Sequence, residues 1–185
     1  FLLAQSLDGL CRFYYDHGRF QKGLSICRAA AVLVEQKEAP AWLRLMVRSL
    51  SWQSVFSASL GHLDLAISLC QESLAMLQDK QLAAEDSRPE KAFALLQLAQ
   101  HLTQRDLQEA GRLAEESASL YRELADQWGK ADALETVGQV AWLTADYQNT
   151  FNTLQECLQL RRALNDSRGM AAVLGTLGFF CFQMG

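Results

Sequence analysis

A segment of seventeen residues occurs twice in this chain, as RELADQWGKADALETVG at residues 122–138 and as RALNDSRGMAAVLGTLG at residues 162–178. The two copies are identical at eight positions, among them Gly129 with Gly169 and Gly138 with Gly178. Each copy reads as the end of one helix, a short turn and the start of the next helix. Self-similarity at a period of about 20–50 residues is typical of repeat arrays. The 40-residue offset between the copies therefore predicts an array of helical repeats.

Similar turns recur along the whole chain, at Gly18, Gly61, Arg105, Ala145 and Gly185, at intervals of 40 to 44 residues. Apolar residues recur at helical spacing between these turns, and the chain contains only two prolines. The pattern predicts helices at about residues 2–16, 19–36, 42–60, 64–79, 90–104, 107–125, 129–144, 147–164 and 168–183. Antiparallel helix pairs at such a period form an α-solenoid. We therefore expect an all-α fold, an α-α superhelix of about nine helices in a single domain over residues 1–185, with about four and a half repeats.

Equivalent positions of the two copies carry predictions about packing. Leu134 and Leu174 are expected to be buried between helices, because both stand at the same apolar position of the repeat. Gly138 and Gly178 are expected at sites of close helix approach, where a larger side chain would overpack the interface.

Composition excludes several classes of partner. The net charge is −4 and the sequence pI is about 5.4, whereas binding to nucleic acid needs a basic face. No apolar run approaches the ~18 residues of a membrane-spanning helix, and no signal peptide is recognisable. We expect a cytoplasmic segment that binds neither nucleic acid nor membrane.

The sequence also predicts no cofactor, no metal site and no catalysis. The five cysteines are scattered, never in a CxxC spacing, and each lies among apolar helical residues, so we expect them to pack in the core. His17 and His62 flank predicted helix-joining turns, and His101 lies in a helix with no cysteine or carboxylate partner at ligand spacing. Serine and acidic residues fall on predicted solvated helix faces, with no glycine-rich loop and no histidine placed to act as a base.

The turn regions resemble tetratricopeptide repeats. The resemblance rests on a turn followed by a small residue early in the next helix: Gly18-Arg19-Phe20 with Gly23 and Ala30, Gly61-His62-Leu63 with Ala66, Asp106-Leu107 with Ala110, and Asp146-Tyr147. The usual repeat has 34 residues, and this longer form is similar to the helical arrays of bacterial signal-transduction ATPases, such as the maltose-responsive transcription activators. Thr150 departs from the small-residue pattern, and no GxxxxGK[ST] loop is present.

The resemblance implies that the first helix of each pair lines the concave surface of the superhelix. Projection of those helices, together with the inward positions usual in the family, predicts a concave binding groove. Its candidate residues are Arg12, Tyr15, Arg48, Asp132, Glu135, Gln139 and Trp142. The same projection places Leu95, Ala99 and Leu102 of the fifth helix on this surface. For Trp142 the alternative is packing against a neighbouring helix.

Two functions remain open at this point. The first is a non-catalytic scaffold that holds a protein or peptide in the groove, as the sensor or docking segment of a larger bacterial signal-transduction or transcription regulator. The second is a sensor domain that closes its groove around a small effector. Aromatic residues that converge with Asp132 and Glu135 around one cavity would favour the second function, whereas a shallow continuous groove would favour the first.

The C-terminal helix carries a separate prediction. Residues 174–182 read LGTLGFFCF, which is apolar around nearly the whole helix, and such a helix must be covered on more than one side. We expect the chain to be a piece of a longer array whose uncapped end associates with a second copy or is covered by a neighbour. The predicted contact residues are Phe179, Phe180 and Phe182, and for Phe179 and Phe182 the alternative is packing within the array.

Overall fold

The computed structural model describes residues 2–34, 39–79, 82 and 85–184 of the chain. Nine helices account for most of these residues: α1 (Leu2–Asp16), α2 (Phe20–Val34), α3 (Pro40–Ser59), α4 (Leu63–Met76), α5 (Arg88–Leu102), α6 (Leu107–Glu123), α7 (Gln127–Leu143), α8 (Tyr147–Ala163) and α9 (Ser167–Met184). The predicted all-α fold is confirmed. The predicted end of the second helix, at about residue 36, lies outside the described residues.

Each turn of the C-terminal half ends one helix and starts the next with the same local chemistry. Ala125, Ala145 and Asn165 adopt positive φ angles of 55°, 60° and 56°, the left-handed conformation that closes a helix. The next residue is an aspartate, and the side chains of Asp126 and Asp146 accept hydrogen bonds from the backbone N–H three residues later. This N-cap satisfies one of the backbone donors that a helix start leaves free.

The two prolines start helices rather than interrupting them. Pro40 occupies the first turn of α3, so this helix begins two residues before the predicted start at Trp42. Pro89 lies in the first turn of α5, as predicted, and the helix begins at Arg88. Proline suits these positions because the first backbone N–H groups of a helix have no partner within the helix.

The helices form two layers. Each helix packs on the next one in the chain, and α1, α3, α5 and α7 also pack on one another in that order. Within the described residues, the even-numbered helices show no comparable contact with one another. The odd-numbered helices therefore form an inner layer and the even-numbered helices an outer layer, as in a solenoid of helix pairs.

The repeat-equivalent positions have different surroundings in the two copies. Leu134 is 7% exposed, as predicted, and a Cβ atom built on Gly138 would lie 2.6 Å from Cδ2 of Leu154. The predictions for the second copy are wrong: Leu174 is 49% exposed, and nothing lies within 4 Å of a Cβ built on Gly178. The reason is that α9 packs mainly on α8, so its other faces have no neighbour among the described residues.

Four of the five cysteines are buried, as predicted, and Cys181 is exposed on α9. Cys11 and Cys27 face each other with their Sγ atoms 3.3 Å apart, and burial among apolar residues raises the pKa of Cys70 to about 12. Among the described residues, no helix combines the length and the apolar character needed to cross a bilayer.

Candidate functional site

The inner layer surrounds a cavity of about 800 Å³. Its walls come from α1, α3, α5 and α7, with contributions from Arg161 of α8 and from the start of α9. We call it the concave cavity. Its position on the odd-numbered helices agrees with the predicted concave surface.

An aromatic wall lines one part of the concave cavity. It consists of Tyr15 of α1, Trp52 of α3, Phe93 of α5 and Trp128 of α7. The rings of Trp52 and Phe93 are 5.2 Å apart between centroids, and both are almost fully buried, whereas Tyr15 and Trp128 are 41% and 42% exposed. The accessible rings of Tyr15 and Trp128 offer apolar surface to a ligand.

Arg48 supports the aromatic wall from behind. Its guanidinium donates hydrogen bonds to both carboxylate oxygens of Asp8 at 2.7 Å, and its Cζ atom lies 4.4 Å from the centre of the Phe93 ring. The Nε1–H group of Trp52 donates to the same Asp8 at 2.7 Å. Burial opposes the charge of Arg48, but the hydrogen bond and the charge of Asp8 outweigh it and raise the pKa of the guanidinium. Arg48 therefore orders two aromatic rings and does not line the cavity, contrary to its predicted position.

A polar row on α5 faces the cavity next to the aromatic wall. Gln97, Gln100 and His101 line it together with Phe93, at the spacing of one helical face. The Gln97 side chain is 7% exposed, and its amide has no hydrogen-bond partner in the part of the chain that the structure describes. Gln97 lines the cavity, so its amide is available to a group bound there. A hydrogen bond with such a group would be worth about 0.5–1.5 kcal/mol.

His101 is neutral in this setting. Its Nε2 atom lies 3.4 Å from the hydroxyl of Ser54, and burial lowers its pKa to about 4. The Ser54 hydroxyl donates to the backbone carbonyl of Ser51 at 2.7 Å. The proton of Ser54 is thus held by a carbonyl and is not directed at the imidazole.

The predicted face of α5 was wrong. Leu95 and Ala99 are 4% and 0% exposed, because they pack on α6 and α7 in the core rather than on the cavity. The sequence does contain the correct signal, since Phe93, Gln97 and Gln100 share one helical face. Between Ala92 and Leu102, leucine and alanine fill all other positions except His101, so hydrophobic periodicity alone did not distinguish the inner face.

A buried arginine holds three carboxylates at the other side of the cavity. The guanidinium of Arg161 donates to Oδ1 of Asp132 at 2.5 Å, to Oε2 of Glu135 at 3.1 Å and to Oδ2 of Asp166 at 2.9 Å. Its side chain is only 6% exposed. Burial raises the pKa of Glu135, and the charge of Arg161 opposes that rise. We call these four residues the Arg161 cluster.

Arg161 was not among the predicted site residues. It belongs to α8, an outer-layer helix, and such helices were expected to face away from the groove. Its long side chain reaches the inner surface because its backbone lies close to the end of α8, beside the turn to α9. Only the carboxylate-rich inner face of α7, with Asp132 and Glu135, hinted that a buried cation would be needed.

The end of α1 and the start of α9 meet at the rim of the cavity. Arg168, in the first turn of α9, donates to Oδ1 of Asp16, the last residue of α1. Arg12 and Tyr15 lie on the α1 side of the same rim. Arg12 forms no ion pair with any residue that the structure describes.

Of the predicted groove residues, the structure brings together Arg12, Tyr15, Asp132 and Glu135 on the concave cavity. Gln139 is exposed and does not line the cavity. Trp142 does not line the cavity either. The centroid of its ring lies 5.7 Å from that of Tyr147 on α8 and 6.1 Å from that of Phe179 on α9, so Trp142 packs against these two helices.

The predicted self-association residues lie on α9. Phe179 is 54% exposed despite its contact with Trp142, and Phe182 is 83% exposed. The side chain of Phe180 lies outside the described part of the structure. Their role in association stays a prediction.

These features define a class of fold. Antiparallel helix pairs in two layers, with the first helix of each pair around a concave cavity, are the architecture of tetratricopeptide-like α-solenoids. No family model matches the chain, and no curated protein matches its sequence.

Solved structures of tetratricopeptide-like proteins are similar along nearly the whole chain. BtubC (BKLC) from P. vanneervenii has a TM-score of 0.68 and 18% identity, with 97% of this chain and 74% of that chain covered. A signal transduction ATPase with numerous domains (STAND) that carries a tetratricopeptide repeat sensor, from Pyrococcus horikoshii, has a TM-score of 0.67 and 14% identity, covering 98% of this chain but 26% of that one. A putative kinesin light chain with tetratricopeptide-like repeats, from P. anserina, has a TM-score of 0.62 and 12% identity, with coverages of 97% and 95%. The TM-scores establish a shared fold, and at these low identities they establish the fold alone.

Proposed function

We propose that the chain is a non-catalytic binding module whose ligand enters the concave cavity. The observation that carries the proposal is the unpartnered amide of Gln97, buried beside an aromatic wall and accessible from a cavity of about 800 Å³. Ligand sites typically have volumes of about 300–1,000 Å³, apolar walls and a few polar groups that fix orientation. The concave cavity has all three properties.

Catalysis is not part of the proposal, because the contact between His101 and Ser54 at the cavity is unsuited to it. A nucleophilic serine needs a base that accepts its proton. The Ser54 hydroxyl instead donates to the carbonyl of Ser51, and Ser54 itself is fully buried.

Two occupants fit the module. A short segment of a protein partner fits the coarse role of a protein-interaction scaffold, which the tetratricopeptide-like neighbours support. A small effector is favoured by the convergence of Trp52, Phe93 and Trp128 with Asp132 and Glu135 around one cavity. In either case we propose a sensor or docking segment of a larger regulator, because the Pyrococcus horikoshii STAND protein carries its repeats as a sensor.

A binding screen tests the proposal. The protein is screened by thermal shift against a pool of short peptides and a pool of small polar molecules, and the affinities of the hits are then measured for variants. Gln97→Leu removes the unpartnered amide with little change of volume, and Glu115→Ala, on the exposed face of α6, is the matched control.

Loss of a hydrogen bond inside the cavity should cost about 1–3 kcal/mol of binding free energy in Gln97→Leu. Glu115→Ala should bind like the unmodified chain. Hits that lose affinity in Glu115→Ala and keep it in Gln97→Leu would move the site to the convex surface and refute the proposal.

A further inference from the structure

We propose that the side of the concave cavity next to the Arg161 cluster is a subsite for an organic cation, a guanidinium or an alkylammonium group. This inference rests on the proposed binding function and names the chemistry of the ligand. It is built from the charges of the cluster, the free carboxylate oxygens, the indole of Trp128 and the amide of Gln97.

The Arg161 cluster has an excess of negative charge. One guanidinium is shared by the carboxylates of Asp132, Glu135 and Asp166, so the cluster has a formal charge of −2. Of the other two cations that line the cavity, Arg168 is paired with Asp16, and Arg12 lies on the α1 side of the rim. The four carboxylates and three arginines of the lining give the whole cavity a formal charge of −1. An anionic ligand would be repelled here, whereas a cation would balance the cluster.

Two carboxylate oxygens of the cluster remain free to bind such a cation. Arg161 occupies Oδ1 of Asp132 and Oε2 of Glu135. Within the described residues, Oδ2 of Asp132 and Oε1 of Glu135 accept no hydrogen bond, and these side chains are 32% and 34% exposed at the cavity. Asp166 has no oxygen to spare, because its second oxygen accepts the backbone N–H of Gly169.

Trp128 stands on the same face of α7 as these carboxylates. Trp128, Asp132 and Glu135 follow one another at intervals of four and three residues, and all three line the concave cavity. Residues at this spacing are neighbours on a helix surface. An indole ring attracts ammonium and guanidinium groups through its π face, and Trp128 is 42% exposed.

Gln97 supplies an independent reason to expect a ligand. Its side chain is 7% exposed and lines the same cavity from α5, and its amide has no hydrogen-bond partner among the described residues. The amide oxygen can accept an N–H group of the ligand, and a guanidinium offers five such donors in one plane. A ligand with such a cation therefore finds acceptors on two helices that line the same cavity, the free carboxylate oxygens of α7 and the Gln97 amide of α5.

The cationic group has two sources, a free small molecule or an arginine or lysine side chain of a peptide. The test uses two matched pairs of probes that differ only in charge. Butylguanidinium is compared with butylurea, and acetyl-Gly-Arg-Gly-amide is compared with the same peptide in which citrulline replaces arginine.

Direct binding is followed by the indole N–H resonances of ¹⁵N-tryptophan-labelled protein, because the chain has four tryptophans and Trp128→Leu assigns the relevant signal. The Trp128 resonance should shift with the cationic probe of at least one pair, with a Kd about tenfold or more below that of its neutral isostere. A shift with the peptide alone identifies a basic side chain as the source, and a shift with both probes identifies the cation itself as sufficient.

Two variants test the assignment of the subsite. Glu135→Gln keeps the shape and the hydrogen-bonding capacity but removes one charge, and it should weaken the cationic probe about 3- to 30-fold while leaving the neutral isostere unchanged. Trp128→Leu leaves the ion pairs of Arg161 in place, so this variant still tests the subsite if Glu135→Gln unfolds. Probe binding to Trp128→Leu is followed by the indole N–H resonance of Trp52. Glu115→Gln is the exposed control.

The proposal is overturned if the neutral isosteres bind as tightly as the cations, or if no cation shifts either indole signal. It is also overturned if the cation binds to both variants, Glu135→Gln and Trp128→Leu, as tightly as to the unmodified protein. Failure of the proposed binding function gives a different result, namely that no hit of either pool loses affinity in Gln97→Leu. A neutral hit that loses affinity in Gln97→Leu would keep the binding function and refute only the cation subsite.

Discussion

Replacing Gly138 with alanine should destabilise the protein by about 1–3 kcal/mol more than the same replacement at Gly178. The two glycines stand at equivalent positions of the repeat, in α7 and α9. The sequence predicts the same effect at both positions, whereas the structure gives them different neighbours. The pair therefore separates packing from the intrinsic preference of the residue.

The magnitude follows from the contacts of an added Cβ atom. At Gly138 it would lie 2.6 Å from Cδ2 and 2.7 Å from Cγ of Leu154, and Leu154 is fully buried, so α7 and α8 must move apart or the leucine must leave its rotamer. At Gly178 nothing lies within 4 Å. Alanine is favoured over glycine within a helix by about 1 kcal/mol, and this gain is common to both sites and cancels in the comparison.

The assay is urea unfolding followed by far-ultraviolet circular dichroism. Repeat arrays do not always unfold in one step, so hydrogen exchange of the α7 and α8 amides accompanies the unfolding curve. Gly138→Ala should lower the midpoint and speed this exchange, and Gly178→Ala should leave both unchanged or raise the midpoint. Equal effects of the two variants, within about 0.5 kcal/mol, would show that the α7–α8 approach at Gly138 is not as close as the structure gives it.

Three further predictions concern the core, the cavity and α9. Leu134→Ala should cost about 2–5 kcal/mol of unfolding free energy in urea denaturation, and Leu174→Ala less than half of that, because Leu174 is half-exposed. Burial lowers the pKa of His101 from 6.5 to about 4, so its contribution to stability is complete above pH 6.5 and is lost as the pH falls toward 4. The stability difference between the unmodified chain and His101→Gln should therefore fall by about 2 kcal/mol between pH 7 and pH 5, and a constant difference would contradict the burial of a neutral ring. If α9 mediates self-association, sedimentation velocity should show a concentration-dependent species that disappears when Phe179 and Phe182 are replaced by serine, and a monomer at every concentration would refute it.

The order and type of the helices could be predicted because the signals are local. A left-handed residue followed by an aspartate cap depends on residues within a few positions, as at Ala125 and Asp126. Hydrophobic periodicity then fixes each helix between two such turns. The predicted helix ends differ from the observed ones by only a few residues, chiefly at Pro40, which starts a helix where a break was expected.

The burial of repeat-equivalent residues could be predicted only in part. Sequence similarity shows that Leu134 and Leu174 occupy the same position of a repeat, but burial depends on which helices lie against that position. Leu134 on α7 packs with residues of α8 and with Val173 of α9. Leu174 has no comparable cover among the described residues, so the same residue type at the same repeat position has a different exposure.

The candidate site could be predicted less well than the fold, for two physical reasons. On α5, apolar residues occupy both the core face and the sides of the cavity. Hydrophobicity therefore did not determine how this helix is rotated about its own axis. Arg161 reaches the cavity from the outer layer. Its position could be predicted only if the distance between α7 and α8 were known, and a local sequence pattern does not give that distance. On α7, the projection with the family's usual inward positions found Asp132 and Glu135, but the same projection also selected Gln139 and Trp142, which do not line the cavity.

Whether the inner surface is an open groove or a cavity depends on the whole array. Each helix pair adds a small rotation to the one before it, and the curvature of a solenoid is the sum of these rotations. The ion pair between Asp16 and Arg168 joins residues 152 positions apart and brings the start of α9 to the end of α1. The pair is exposed, and exposed ion pairs contribute little to stability. The ion pair is therefore a consequence of the curvature and not its cause. The shape of the ligand site is therefore set by the packing of all the helix pairs, and substitutions far from the cavity that change the angle between two pairs should alter binding without altering any lining residue.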